Sequence, residues 1–143
     1  MYLRLVSLSV VLLAILLPVV VWAQDYEEII VPRVEENGRV LIQMRPIFEA
    51  LDWTVDWRAT NQEIYAHAGP EDTMTMWVNR RYAIVNGKEY TLDVTPRLID
   101  GSTYVPIRFV AESTGLTVDY QGDRVVIKDA EGNTLVVHLE EDV

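Results

Sequence analysis

Apolar and polar residues alternate along most of the chain with the two-residue period of half-buried β-strands. Asn37-Gly38, Asn86-Gly87 and Asp100-Gly101 stand between such segments, and dipeptides of this kind are strong signals of a hairpin turn. The alternation predicts ten strands, near residues 39–43, 54–58, 63–67, 73–78, 82–85, 89–93, 103–106, 117–120, 124–128 and 134–139.

Two segments, 45–51 and 107–114, depart from this period and carry apolar residues at helical spacing. Each follows one predicted strand and precedes another. Gly115 ends the second segment, as expected for a residue that readily adopts the left-handed conformation. Asp52 holds the matching place in the first segment, where aspartate also tolerates that conformation. The elements together predict an α+β domain of antiparallel sheet and two short helices.

Residues 38–57 align with residues 101–120, an offset of 63 positions. Six of the 20 aligned positions are identical, where unrelated sequences would share roughly one. We interpret the chain as two strand–helix–strand–strand pseudo-repeats that share one core, with additional strands at about 73–93 between them. The identical pairs are Gly38/Gly101, Arg45/Arg108, Glu49/Glu112, Thr54/Thr117, Val55/Val118 and Asp56/Asp119.

Each predicted helix carries an arginine followed four residues later by a glutamate, so the two side chains can meet on one helix face. A catalytic pair is usually needed once, whereas these pairs occupy the same place in both halves. We therefore predict that Arg45–Glu49 and Arg108–Glu112 are structural braces in which the arginine stem covers apolar surface. A binding role is the alternative.

The aromatic residues divide into two groups. Trp57 shares a strand face with Val55, and Trp53 aligns with apolar Leu116, so Trp53 and Trp57 are predicted to belong to the core. Tyr65 and Trp77 have no clear repeat partner. They are the candidates for exposed aromatic residues that contact a ligand such as a sugar ring.

The N-terminal 23 residues have the features of an export signal: Arg4, an apolar run from 5 to 22, and Val21-Trp22-Ala23 as a cleavage site. The run also approaches the length that spans a bilayer, so a retained anchor is the alternative. We predict a signal peptide at 1–23, a short linker at 24–29, one domain at 30–139 and an acidic tail at 140–143.

The composition argues against several classes of function. A formal net charge of −10 disfavours nucleic acid and anionic lipid as partners. The chain has no cysteine and two histidines, His67 and His138, neither with a second ligand at metal-site spacing. No catalytic motif occurs, so we expect no cofactor, no metal and no enzymatic activity. A small enzyme that uses Asp56 and Asp119 is the weakest alternative, since these residues are equivalent in the two halves.

Residues 101–127 resemble the signature of the copper amine oxidase-like N-terminal domain, also called the stalk domain. The likeness extends over about 30–139, although Gln43 stands where the family favours proline and Asp52 where it favours glycine. The resemblance implies a sheet curled around short helices, exported by bacteria and often a module of cell-surface proteins. It does not imply oxidase chemistry, which requires a large separate domain with three copper-binding histidines. The matching residues are Gly101, Tyr104, Val105, Pro106, Ile107, Arg108, Phe109, Val110, Ala111, Glu112, Gly115, Val118 and Tyr120.

These observations predict a secreted or extracytoplasmic, non-catalytic module that contacts a protein or a wall polymer of the cell envelope. A carbohydrate- or peptidoglycan-binding module that uses Tyr65 and Trp77 is the alternative. Membrane contact is expected only through an uncleaved N-terminal segment, and self-association stays open.

Overall fold

Two β-sheets and two seven-residue helices make up the part of the chain that the computed structural model describes, residues 26–141. The helices are α1 (Met44–Ala50) and α2 (Ile107–Ser113). The strands are β1 (Tyr26–Glu36), β2 (Arg39–Gln43), β3 (Thr54–Arg58), β4 (Glu63–His67), β5 (Thr73–Trp77), β6 (Tyr82–Val85), β7 (Lys88–Thr91), β8 (Arg97–Ile99), β9 (Ser102–Pro106), β10 (Thr117–Gln121), β11 (Arg124–Lys128) and β12 (Thr134–Glu141).

The strands form a seven-stranded sheet in the order β10-β11-β12-β1-β2-β9-β8 and a five-stranded sheet in the order β3-β4-β5-β6-β7. Helix α1 contacts strands of both sheets, and α2 contacts β2, β9 and β10. The described residues therefore form mostly antiparallel, mixed sheets with two helices, an arrangement that agrees with the predicted α+β class. All ten predicted strands and both predicted helices occur, with bounds that differ from prediction by at most two residues.

Strand β1 is the main element that the alternation did not predict. Its first part pairs in parallel with β12, and its last part pairs antiparallel with β2, with Arg33 taking part in both ladders. The strand thus joins the β10-β11-β12 part of the sheet to the β2-β9-β8 part. Residues 26–29, expected in a short linker at 24–29, lie within β1 because this ladder begins at Tyr26. Residues 140 and 141 of the expected tail lie in β12.

Proline explains why β1 was missed. Pro32 cannot donate a hydrogen bond to a ladder, so proline in a sequence argues against an interior strand. In the fold, Pro32 lies opposite Glu140 next to Arg33, where β1 changes its partner from β12 to β2. Strand β8 has only three residues, which is too short for an alternating pattern to be recognised.

Both helices end as the sequence predicted. Asp52 has φ 59° and Gly115 has φ 81°, so each adopts the left-handed conformation just after its helix. The N–H of Trp53 donates to the carbonyl of Phe48 at 2.8 Å, and the equivalent bond closes α2. This bond supplies a partner for a carbonyl that the helix end leaves free.

Buried side chains from both sheets and both helices form one main core, which includes Val31, Ile42, Phe48, Ile64, Met76, Val105, Val110 and Val137. A second, smaller cluster of Leu41, Val94 and Tyr104 is buried separately. The helices therefore lie where their apolar faces are covered, and their charged faces remain outside.

The two halves use the same register in their first hairpins. Glu36 lies opposite Arg39 in β1–β2, and Ile99 lies opposite Ser102 in β8–β9, so the two pairs are separated by the same offset of 63 positions. Strands β2 and β9 pair antiparallel, and there Ile42 lies opposite its aligned residue Val105.

Candidate functional site

The outward side of the five-stranded sheet carries a group of aromatic residues at its centre. Tyr65 and His67 project from β4, Trp77 from β5 and Tyr82 from β6; these four residues are here named the aromatic face. They project outward because alternate residues on the same strands point into the core. The inward residues Ile64, Ala66, Met74, Met76 and Ala83 are fully buried.

The rings of the aromatic face form two stacked pairs. The Tyr65 and His67 rings have centroids 5.3 Å apart and planes inclined by 29°. The Trp77 and Tyr82 rings have centroids 5.5 Å apart and planes inclined by 24°. Tyr65 lies opposite Thr75, two residues from Trp77, so the two predicted ligand-contact residues are diagonal neighbours about 7–8 Å apart.

A charged network borders the aromatic face and holds its edge. Glu63 is 9% exposed and lies opposite both Arg58 and Trp77 in the neighbouring strands. Its carboxylate accepts hydrogen bonds from Arg58 Nη1 at 2.7 Å and from Asn61 Nδ2 at 2.9 Å. The Arg58 guanidinium also lies 5.8 Å from the centre of the Tyr65 ring. These contacts restrict the Tyr65 side chain before any ligand arrives.

On the opposite side of the aromatic face, Glu89 holds the Tyr82 side chain in place. Its hydroxyl donates to Glu89 Oε1 at 2.7 Å, and this hydrogen bond raises the pKa of Tyr82. On the other flank, His67 Nε2 lies 3.6 Å from Asp56 Oδ2. The face therefore combines flat apolar rings with hydrogen-bonding groups at its rim, which is an arrangement suited to binding.

The sequence selected Tyr65 and Trp77 as exposed candidates for ligand contact; both lie on the aromatic face but are only partly exposed. From the sequence, His67 was considered only as a metal ligand, and Tyr82 was not selected. The sequence does not show which residues become neighbours across the strands. The β5–β6 register brings Tyr82 beside Trp77. Within residues 26–141, no group of three histidine, aspartate or glutamate side chains could hold a metal ion.

The predicted braces lie on exposed helix surfaces. Arg45 Nη1 is 3.7 Å from Glu49 Oε1, and Arg108 Nη1 is 3.1 Å from Glu112 Oε1. All four side chains are at least half exposed. Exposed pairs of this kind contribute little to stability, about 0–1 kcal/mol. The role of these pairs as braces stays a prediction, and the stabilisation expected from them is small.

The second pair has an additional contact. The Arg108 guanidinium lies 4.8 Å from the centre of the Tyr120 ring, within the range of a cation–π interaction. Burial of that ring raises the pKa of Tyr120, with the charge of Arg108 opposing the shift. Arg108 therefore contacts both Glu112 on α2 and Tyr120 on β10.

We expect Arg108→Ala to lower the free energy of unfolding by about 1 kcal/mol, because it removes both an exposed ion pair and a cation–π contact. Arg45→Ala is the matched control, with an expected loss of at most about 0.5 kcal/mol. Urea unfolding followed by tryptophan fluorescence measures both. Equal losses for the two variants would contradict the contribution of Tyr120.

Trp53 and Trp57 pack against the core. Trp53 lies 6.1 Å from Phe48 between ring centroids, and both Trp53 and Trp57 are partly buried against the main cluster. Their prediction as core residues is thus confirmed, although neither is fully enclosed. Asp56 and Asp119, which a small enzyme would need together, lie on edge strands of different sheets.

The export signal predicted at 1–23 lies outside the described residues. None of the helices within residues 26–141 is both long and apolar enough to cross a bilayer.

Comparison with known proteins places the chain in a family. The family described as the copper amine oxidase N-terminal domain matches residues 21–128, and the resemblance inferred from the motif is confirmed. A protein from Brevibacillus choshinensis named "Protease inhibitor" is 32% identical over 99 residues. The aligned region is 68% of this chain but only 30% of that relative, so the chain spans less than a third of its length. This chain belongs to the copper amine oxidase N-terminal domain family.

Proposed function

We propose that the chain is a non-catalytic binding module of the bacterial cell envelope and that it contacts its partner through the aromatic face. The single observation that carries the proposal is that Tyr65, His67, Trp77 and Tyr82 form two stacked pairs on one outward sheet surface. The apolar N-terminal run supports export, and membership of a family named for an accessory domain supports a role without catalysis.

The aromatic face is favoured because its side chains are already ordered. Stacking, the Arg58 guanidinium over the Tyr65 ring and the Tyr82–Glu89 hydrogen bond restrict the rings, so binding costs little further side-chain entropy. Large aromatic residues are also the residues that most often dominate the energy of a protein interface. A protein of the cell envelope is therefore the first partner class.

A wall glycan is the second partner class. Flat rings beside hydrogen-bonding groups suit a sugar, whose apolar face stacks on an aromatic ring while its hydroxyl groups bond at the rim. The diagonal placement of Tyr65 and Trp77 on neighbouring strands favours this candidate, since both rings can contact one extended polymer.

The name of the Brevibacillus choshinensis relative adds proteases to the protein partners worth testing. We include this class because the identity of 32% extends over most of this chain. Incubation of the purified domain with serine, cysteine and metalloproteases, followed by residual activity, tests it.

We further propose that the two halves are pseudo-repeats related by an approximate two-fold axis. The support is the shared hairpin register and the pairing of Ile42 with its aligned residue Val105. A consequence is that surfaces on α1 and α2 correspond to each other.

We expect Trp77→Ala to weaken binding to isolated cell walls at least tenfold, which corresponds to about 1.4 kcal/mol. The reason is that it removes the largest ring of the aromatic face. Co-sedimentation with purified walls measures the affinity, and cross-linking in intact cells reports a protein partner by the same loss. Tyr90→Ala is the control, because Tyr90 is a 37% exposed tyrosine whose ring packs on Phe109 instead. If Trp77→Ala and Tyr90→Ala retain wild-type binding in both assays, the aromatic face is not the contact surface.

A further inference from the structure

Each helix borders a cleft, and the two clefts are built from aligned residues. The α1 cleft lies between α1, β3 and the β8–β9 hairpin, and the α2 cleft lies between α2, β2 and segment 91–94. Five positions line both clefts: Gln43/Pro106, Arg45/Arg108, Pro46/Phe109, Glu49/Glu112 and Ser102/Arg39. The two clefts differ in what covers them.

The chain itself covers the α2 cleft. Segment 91–94 runs along it and leaves a volume of about 160 Å³. Leu92 and Val94 are 2% and 3% exposed, so their side chains are buried, whereas Thr91 and Asp93 face solvent. Between Leu92 and Val94, Asp93 Oδ2 accepts a hydrogen bond from Arg39 Nη2 at 3.0 Å. The segment thus combines buried apolar side chains with one carboxylate that pairs with the cleft's own arginine.

The α1 cleft has no such cover among the described residues and encloses about 540 Å³. Its walls include the apolar side chains of Met44, Pro46, Trp57 and Leu98. Leu98 is 43% exposed at the border of the cleft. Segment 91–94 therefore covers the surface beside α2, whereas the equivalent surface beside α1 is open.

The chemistry of the two clefts differs at one aligned position. Ser102 stands where the α2 cleft has Arg39, and its hydroxyl accepts a hydrogen bond from Gln43 Nε2 at 3.1 Å. Arg45 is the one cation among the described residues that line the α1 cleft, and it faces Glu49 at 3.7 Å. The α1 cleft is thus close to neutral, and it offers a hydroxyl and an amide in place of a free cation.

We propose that the α1 cleft binds an extended segment of a partner protein, in the way that the α2 cleft holds segment 91–94. The segment carries a leucine-like side chain followed by an uncharged polar residue, because Ser102 and Gln43 can bond an amide but cannot neutralise a carboxylate. This site uses the inward residue Trp57 of β3 and lies apart from the aromatic face, so it goes beyond the function proposed above.

The probes for this proposal are two synthetic peptides. One has the chain's own sequence at 90–94, Tyr-Thr-Leu-Asp-Val, and the other has asparagine in place of the aspartate. Each peptide is titrated into the isotopically labelled protein, and binding is followed by NMR. We expect saturable shifts at the Trp57 indole N–H and at Leu98 and Ser102, with the asparagine peptide binding about threefold more tightly.

Two variants test the site and its specificity. Leu98→Asp is expected to weaken binding of both peptides at least tenfold, and Ile30→Asp is the control because Ile30 is exposed on β1. Ser102→Arg is expected to reverse the preference, so that the aspartate peptide binds about threefold more tightly.

The proposal is overturned if neither peptide shifts α1 cleft resonances, or if the shifts occur only at the aromatic face. It is also overturned if the free protein forms a concentration-dependent dimer that Leu98→Asp abolishes, since a second copy would then occupy the cleft. An unchanged peptide preference in Ser102→Arg would contradict the assigned specificity.

Discussion

The variant Val31→Asp is expected to be largely unfolded, whereas Ile30→Asp is expected to fold normally. Val31 is 0% exposed and Ile30 is 63% exposed, although the two are neighbours in β1. A carboxylate at position 31 would have to be buried without a partner, which costs several kcal/mol. The lost burial of the valine adds about 2 kcal/mol. The total is comparable with the whole stability of a typical domain, about 5–15 kcal/mol.

Far-ultraviolet circular dichroism and urea unfolding of both variants check this expectation. The matched pair is informative because the charge and the strand are the same and only the direction of the side chain differs. A folded Val31→Asp protein with wild-type stability would mean that β1 is not an integral part of the core. Strand β1 would then be a segment attached to the outside of the domain, which would agree with the linker expected at 24–29.

Phe48→Ala is expected to lower the free energy of unfolding by about 3–5 kcal/mol, the range found when a buried phenylalanine is removed. Phe48 is fully buried on α1 and packs against Trp53. The cavity has little chance to collapse, because the residues around Phe48 come from different elements of the main core. The decrease in the free energy of unfolding should therefore lie in the middle of this range or above.

Phe109→Ala provides the matched control, since the chain contains only two phenylalanines. Phe109 lies on α2 but is only partly buried, with Tyr90 against its edge at 5.9 Å. We expect a loss of about 1–2 kcal/mol, in proportion to the smaller buried area. Guanidinium unfolding at equilibrium measures both variants. A loss for Phe109→Ala equal to that for Phe48→Ala would show that α2 packs more tightly than its exposure indicates.

Both predictions concern the scaffold that holds the binding surfaces. The aromatic face and the α1 cleft depend on strands whose inward side chains anchor them in the core. Ile64 and Met76 are fully buried beneath the aromatic face, and they keep Tyr65 and Trp77 at constant spacing. A site built on such strands can be ordered before its ligand arrives.

Much of the fold could be predicted because it depends on local chemistry. The period of two in residues 63–67 predicted β4, and the helical spacing in residues 107–114 predicted α2. The left-handed conformation of Asp52 followed from its place after α1. Strand β1 was not predictable in this way, because a proline such as Pro32 argues against a paired strand. Only the pairing of β1 with β12 and β2 shows how the proline is accommodated.

The candidate site shows the same division. The sequence selected Tyr65 and Trp77 as exposed aromatic residues, and the structure places both on the outward side of the sheet but leaves them only partly exposed. That Tyr82 stacks on Trp77 and His67 on Tyr65 required the three-dimensional arrangement. The brace pairs were placed correctly on their helices, but their exposure showed that the expected energy is small.

The sequence by itself determined the family through its motif. It also determined the α+β class, the turns and the local elements of residues 39–139 except β8, since periodicity and turn residues act over a few positions. Only the tertiary structure decided that β1 joins the two parts of the large sheet and that four aromatic residues share one face. It also decided that the α1 cleft is open while its counterpart is covered. These features depend on contacts between residues far apart in the chain, and no local pattern encodes which strands become neighbours.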